Sequence, residues 1–327
     1  MNVPRRRFLH LAASAAVLTA LARGAAAQAY PARPIKLINA LAAGSAPDIL
    51  SRIIAEPLSR ALEQQVVVEN RPGAANIIAT QAAARAAPDG YTLFFGPSLA
   101  LAVNPHTFKS LPYDPLADFA YIAMVSKAAF FVLAHPDIPA KTLPELIALD
   151  KSKPGQLTVA VDGPKNSSGM LAARLNKQAG MHLVLIPYAT MPQGVQDAIT
   201  GRVQLAIAAG LIAGPLVDRG AMRALAVSSA ARIPRYAQIS TIAETFPGFE
   251  FVGWFVLAAP AGTPRDIISR LNHEMDRILG SPELINRLGE LGFYIDGAYT
   301  LEAVTEFVRS QRDKWGEIVR AIGLEPE

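Results

Sequence analysis

Cysteine is absent from all 327 residues, which excludes a disulfide framework, an iron–sulfur cluster, a thiol nucleophile and a cysteine-ligated zinc. Histidine is scarce. His10, His106, His135, His182 and His273 are spread too widely for a histidine-rich metal site. Charged residues make up only 18% of the chain against 51% hydrophobic. A chain this apolar folds, and its length suffices for one large or two ordinary domains. Neither G-x-G-x-x-G nor G-x-x-x-x-G-K-[ST] occurs, so nucleotide binding has no support. His273-Glu274 opens an H-E-x-x-H pattern that fails at Arg277. No metal and no cofactor are expected.

The basic charge is concentrated at the start. Residues 1–29 carry Arg5, Arg6, Arg7 and Arg23 and no acid, followed by the twelve-residue apolar stretch Leu11–Ala22. A bilayer span needs ~20 such residues, so this segment reads as a signal-peptide core. Ala25-Ala26-Ala27 and Ala27-Gln28-Ala29 each offer a cleavage site, after Ala27 or Ala29. Arg5-Arg6-Arg7-Phe8-Leu9 fits the twin-arginine export pattern, with a general secretion signal as the plainer reading. Removing the four arginines leaves 27 basic against 27 acidic side chains. The mature chain is neutral, which removes the electrostatic case for nucleic acid as a partner. It is expected in the periplasm, as a monomer.

From Tyr30 onward, short apolar runs alternate with helical stretches. Ile35–Asn39, Val66–Glu69 and Thr92–Phe95 read as strands, with helices near 48–63 and 77–87 between them. Val125–Ala134 is a further apolar run, and Thr142 with Glu145 opens a helix at 142–152. Leu157–Val161, Leu183–Pro187, a helix near 192–200, Leu205–Ala208 and Ala224–Val227 repeat the rhythm. Phe251–Ala259 is the last strong strand, and three helices complete the chain. Strands separated by helices of this length predict parallel β-α-β units and an α/β fold. About 298 mature residues exceed a comfortable single core, so two similar lobes are expected.

Catalytic chemistry is poorly represented. Gly96-Pro97-Ser98-Leu99-Ala100 is one residue short of G-x-S-x-G and follows a strand, which leaves open a serine hydrolase built on Ser98. Its partners would have to be Asp197 or Asp218 with His273. A strand-to-helix loop that happens to hold a serine is the simpler account. More telling are two post-strand loops rich in small residues, 42–48 and 162–169, each opening a helix. Small residues let backbone amides approach a ligand, and a helix N-terminus favours an anion. Two such loops suit a carboxylate held in a cleft between lobes, although either alone could be a plain helix cap.

The same segments resemble the Bug-type solute receptors of tripartite tricarboxylate transporters, along the whole mature chain. Pro31-Ala32-Arg33-Pro34-Ile35 looks like that family's opening, and Val67-Val68-Glu69-Asn70-Arg71-Pro72-Gly73-Ala74 matches its V-V-E-N-R-P-G-A. Ala87–Leu93, Asn104-Pro105, Leu111–Pro115, Leu225–Val227, Trp254-Phe255 and Ala259–Pro264 continue the match in order. The resemblance implies a two-lobed periplasmic binding protein, type II-like, that closes like a Venus flytrap about two crossover strands near 127–133 and 252–257. Lobe 1 would comprise 30–128 and 252–327, and lobe 2 129–251. It implies a receptor without chemistry of its own. Such a receptor hands a small carboxylate to membrane transporter subunits or to the periplasmic domain of a sensor kinase.

The departures fall in the ligand loops. The family's P-F-A-A-G-G-G-T-D stands here as Ala40–Asp48, its G-x-G-T-S as Gly163–Ser167, its Y-K-G-G as Tyr188–Met191, and an acid-amide pair as Ala208-Ala209. Expected ligand residues in the first lobe are Leu41, Ala42, Gly44, Ser45, Ala46 and Asp48, with Pro97 and Ser98 beside them. In the second lobe they are Gly163, Asn166, Ser167 and Ser168, with Tyr188 and Ala209. The hydroxyls of Ser45, Ser167 and Ser168 and the amide of Asn166 would serve one carboxylate. Ala189, Met191, Ala208 and Ala209 would offer an apolar far side unless Lys165 restores a second anion site. An aromatic or apolar monocarboxylate is therefore expected over a citrate-like acid.

Overall fold

A computed structural model describes residues 30–326 apart from Lys165, Asp296 and Ala298. The expected signal peptide and the role suggested for Lys165 lie outside the described residues. No described helix is long and apolar enough to cross a membrane.

The first strands are β1 (Ile35–Asn39), β2 (Val66–Asn70) and β3 (Thr92–Pro97), all parallel, joined by helices α1 (Ala46–Leu62) and α2 (Ile77–Ala84). Alternation along β1 sends Ile35 and Leu37 against Leu50, Ile54 and Leu58 of α1. Ile38 and Ala40 go to the other face, into the cluster holding Ala79 and Ala83 of α2. β1 is thus buried on both faces apart from Lys36, which is exposed.

After Ser98 the chain makes a π-helical turn (Leu99–Val103) and a short helical turn, and then enters β4 (Phe119–Ala134). Sixteen residues of extended chain span roughly 50 Å. The strand begins six residues before the apolar run Val125–Ala134, because Phe119–Met124 mixes Ala and Tyr into the pattern. The second half of the chain supplies β5 (Thr158–Val161), β6 (Val184–Pro187), β7 (Leu205–Ala209) and β8 (Arg223–Val227). They alternate with α3 (Leu143–Ser152), α4 (Ser167–Ala179), α5 (Met191–Ile199) and α6 (Gly210–Asp218). Strand β9 (Val252–Pro260), helices α7 (Arg265–Leu279) and α8 (Pro282–Glu290), the two-residue β10 (Phe293–Tyr294) and α9 (Leu301–Ala321) complete the fold. β10 escaped the sequence reading because two residues carry no periodicity.

Strand pairing makes the molecule α/β and two-lobed. One sheet runs β2-β1-β3-β9-β4, the other β6-β5-β7-β4-β8. The two orders are equivalent, with β9 and β4 inserted antiparallel beside β3 and β7 respectively. β4 belongs to both: residues up to Ala129 pair with β9, and from Phe130 onward with β7. The chain returns beside it at Ser228, which is fully buried. Ser228 N donates to Phe130 O and Phe251 N to Ser228 O, both at 2.9 Å. Its Oγ accepts from Phe130 N at 2.9 Å and donates to Phe251 O at 2.5 Å. The two passages between lobes, β4 and the segment entering β9, are thus tied together by one serine. Helix α9 packs over the same region, with Phe307 edge-on to Trp254 and Trp315 edge-on to Phe251.

Candidate ligand cleft

Register fixes where the loops meet. β3 runs parallel to β4 and ends at Pro97, opposite Phe255, which in turn pairs with Ser126. β7 runs the other way and ends at Ala209, opposite Phe130. The two strands run in opposite directions on either side of the β9-β4 pair, and their ends stop four β4 residues apart, roughly 13 Å measured along a strand. β1 lies beside β3, and β5 and β6 beside β7. All the loops leaving these carboxyl ends therefore face a common crevice, the usual ligand position in α/β folds.

In the first lobe, the loop from Ala40 to Ser45 is held from below. Asn39 is buried and accepts from Leu41 N at 3.0 Å while donating to Ser51 Oγ. Gly44 takes φ +78°, a conformation that favours glycine, and donates its amide to Asp48 Oδ2 at 2.8 Å. Asn70 Nδ2 donates to Asp48 Oδ1 at 2.8 Å and to Leu41 O at 2.9 Å. Arg52 Nε reaches Asp48 Oδ2 at 3.1 Å. Burial raises the Asp48 pKa, but the bonds from Gly44, Arg52 and Asn70 outweigh it and hold the carboxyl below its ordinary value. Asp48 was expected to touch ligand. Both its oxygens are instead committed inward.

Ser45 is likewise occupied. It caps α1 by accepting from Asp48 N and donates to Ala42 O at 2.6 Å. Among the described residues, the amides of Ala42, Ala43 and Ala46 have no acceptor. Donors in this loop are thus backbone groups rather than the serine hydroxyl.

The second lobe repeats the device with other residues. Ser168 is buried; its Oγ accepts from Asp162 N at 2.8 Å and donates to the Asp162 carboxylate, so this hydroxyl is also internal. Asn166 does not cap α4 with its side chain, which donates to Asp162 O at 2.6 Å. Among the described residues the amides of Ser167 and Ser168 have no acceptor. Gly163, at φ +127°, packs so tightly on Gly169 that a Cβ at 169 would lie 2.1 Å from Gly163 O.

Tyr188 OH donates to Asp197 Oδ2 at 2.9 Å, and burial followed by that carboxylate raises its pKa. Its ring lies over Gly194. Ala208 is 1% exposed and packs into the lobe-2 core, so it does not face the cleft; strand alternation turns its half-buried neighbour Ala209 the other way. Ala189 is exposed and Met191 is half-buried. Behind Ala209, Gly210 abuts Gly292: a Cβ at 292 would lie 2.3 Å from the Gly210 carbonyl carbon. That backbone contact, together with Arg52 and Asn70, had no local signature, since each partner is remote or an ordinary surface residue in sequence.

A hydrolytic site is not assembled. Ser98 Oγ accepts from Trp254 N at 3.4 Å, and the following π-helical turn replaces a nucleophile elbow. Asp197 bonds Tyr188 and Arg202, and Asp218 bonds Arg235; among the described residues neither acid meets a histidine. No group of described side chains could hold a metal ion.

Residues 50–324 match the family described as "Tripartite tricarboxylate transporter family receptor". A UPF0065 protein of Bordetella bronchiseptica is 34% identical over 314 residues, 95% of this chain and 92% of that protein. Among solved structures, an R. palustris protein with adipate superposes with a TM-score of 0.79 at 28% identity, over 91% of this chain and all of the other. The periplasmic binding protein BugD does so with 0.75 at 28% identity, over 91% and 100%.

Proposed function

The chain belongs to the tripartite tricarboxylate transporter receptor family, whose structural neighbours are periplasmic solute-binding proteins and not enzymes, and from that premise we propose that it captures a small carboxylate and delivers it to a membrane transporter. The observation that carries the reading is that β3 and β7 run toward the lobe boundary from opposite sides, with unpartnered amides on the loops of both lobes. Amides fixed in a rigid loop and at a helix N-terminus bind an anion without side-chain charge. We take the lobes as 30–128 with 252–327 and 129–251, a division supported by the change of β4 partner between Ala129 and Phe130. Closure brings the two sets of donors together.

We read the ligand as a carboxylate with an apolar remainder, an aromatic or alkyl monocarboxylate before a citrate-like acid. Ala209, Met191 and the Tyr188 ring supply no charge for a second carboxylate, and the tyrosine hydroxyl is engaged by Asp197. Burying an unpaired carboxylate costs several kcal/mol, while apolar surface gains ~25 cal/mol per Å². The adipate held by the R. palustris neighbour has an alkyl chain between its two acids. Calorimetric titration with benzoate, adipate and citrate tests the assignment. Benzoate should bind most tightly, and tight citrate binding without benzoate binding refutes it. Export precedes all of this: replacing Arg5 and Arg6 by Lys should leave precursor in the cytoplasm, and normal maturation of that variant would refute the twin-arginine route.

A further inference from the structure

We propose that Asp48 is the positioning residue of this receptor: it holds the 40–46 loop so that the amides of Ala42, Ala43 and Ala46 face the ligand's carboxylate, and Arg52 neutralises it so that the anion is not repelled. The inference rests on the receptor reading above.

The geometry is specific to that task. The Asp48 side chain is 4% exposed, on the first turn of α1 and beneath the loop. One oxygen takes the Gly44 amide, which fixes the loop at its sharpest bend. The other takes Asn70 Nδ2, and the same nitrogen reaches Leu41 O at the loop's start. Both ends of the loop are therefore tied to one carboxylate from inside. Ser45 Oγ meanwhile draws the Ala42 carbonyl back into the turn, so the group that would repel an anion is turned away.

A buried carboxylate beside an anion site is unfavourable unless its charge is cancelled. Arg52 supplies the cancellation through Nε to Asp48 at 3.1 Å, and Nη2 to Asn70 Oδ1 at 3.0 Å keeps the guanidinium in place. Neither residue touches ligand. They determine how tightly the loop's amides can hold it.

Amide hydrogen exchange of the full mature protein tests this without a ligand. Asp48→Asn keeps the shape but leaves one acceptor oxygen where Gly44 and Arg52 on one side and Asn70 on the other both donate. Exchange at the hydrogen-bonded loop amides of Leu41, Gly44 and Ser45 should rise about tenfold, with other segments unchanged, if one such bond is lost. Affinity for whichever of benzoate, adipate and citrate the wild type binds should fall about tenfold for the same reason. Arg52→Gln should weaken the carboxylate while leaving loop exchange closer to wild type. Unchanged exchange in Asp48→Asn overturns the proposal, and so does faster exchange with unchanged affinity. Should the wild type bind none of the three acids, the receptor reading fails, and the exchange comparison still decides whether Asp48 holds the loop.

Discussion

Ser228→Ala removes one oxygen from the point where both inter-lobe passages cross. The backbone bonds from Ser228 N to Phe130 O and from Phe251 N to Ser228 O survive. Phe130 N loses the hydroxyl it donates to, and Phe251 O loses the hydroxyl that donates to it. Ser228 is 0% exposed, so water cannot replace either bond without opening the strands. A buried group left unpaired costs ~1–3 kcal/mol, so the pair amounts to ~2–6 kcal/mol against a negligible change in volume. In a chain of this size that is a fall of roughly 3–10 °C in melting temperature. Thermal unfolding followed by circular dichroism measures the loss, and hydrogen exchange at Phe130 shows whether it is local. A melting temperature within about 1 °C of wild type, with Phe130 equally protected, would refute the claim that this serine ties the two passages.

Gly292→Ala places a Cβ 2.3 Å from Gly210 C and 2.4 Å from Leu211 N, at φ +75°. Backbone faces backbone, so the two segments must part, and a loss of ~2–4 kcal/mol in urea unfolding is expected from overpacking and strain together; no loss contradicts the contact. Asp48 has a folded pKa below its unfolded value near 3.8, so its stabilisation is fully present above that value and disappears as pH falls through the folded one. The stability gap between wild type and Asp48→Asn should therefore be wide at pH 7 and narrow progressively as pH falls below 3.8, and a gap that widens in acid contradicts the assignment.

The elements that build the cleft were legible from period and punctuation. Ile35–Asn39 was read to the residue because Gly- and Pro-rich loops bound a short apolar run. The helix after it was placed within two residues, since Ile49 through Leu62 recur at helical spacing. The two small-residue loops and their backbone amides are visible in composition, but the commitments of their side chains are not. Ser45, Ser168 and Tyr188 looked available as side chains, and each proves to be spent on a partner within its own lobe. Those bonds depend on where the backbone turns, which composition does not reveal. Asn70 was visible only as part of a matching block; its bond to Asp48 spans 22 residues and exists because β2 pairs in register with β1. Ala208 shows the limit of reading a pair of residues as one surface, since a strand sends neighbours to opposite faces.

The central claim is that two lobes close about their facing strand ends on a carboxylate. A chain without cysteine allows it to be tested with two introduced labels. Ile78→Cys and Gln196→Cys lie on exposed positions of α2 and α5, one on each side of the cleft. Pulsed electron-spin distance measurement between labels there, with and without saturating benzoate, adipate or citrate, should show a shift to shorter separation for the acid that titration shows to bind. A distance distribution that stays the same with all three would contradict the account.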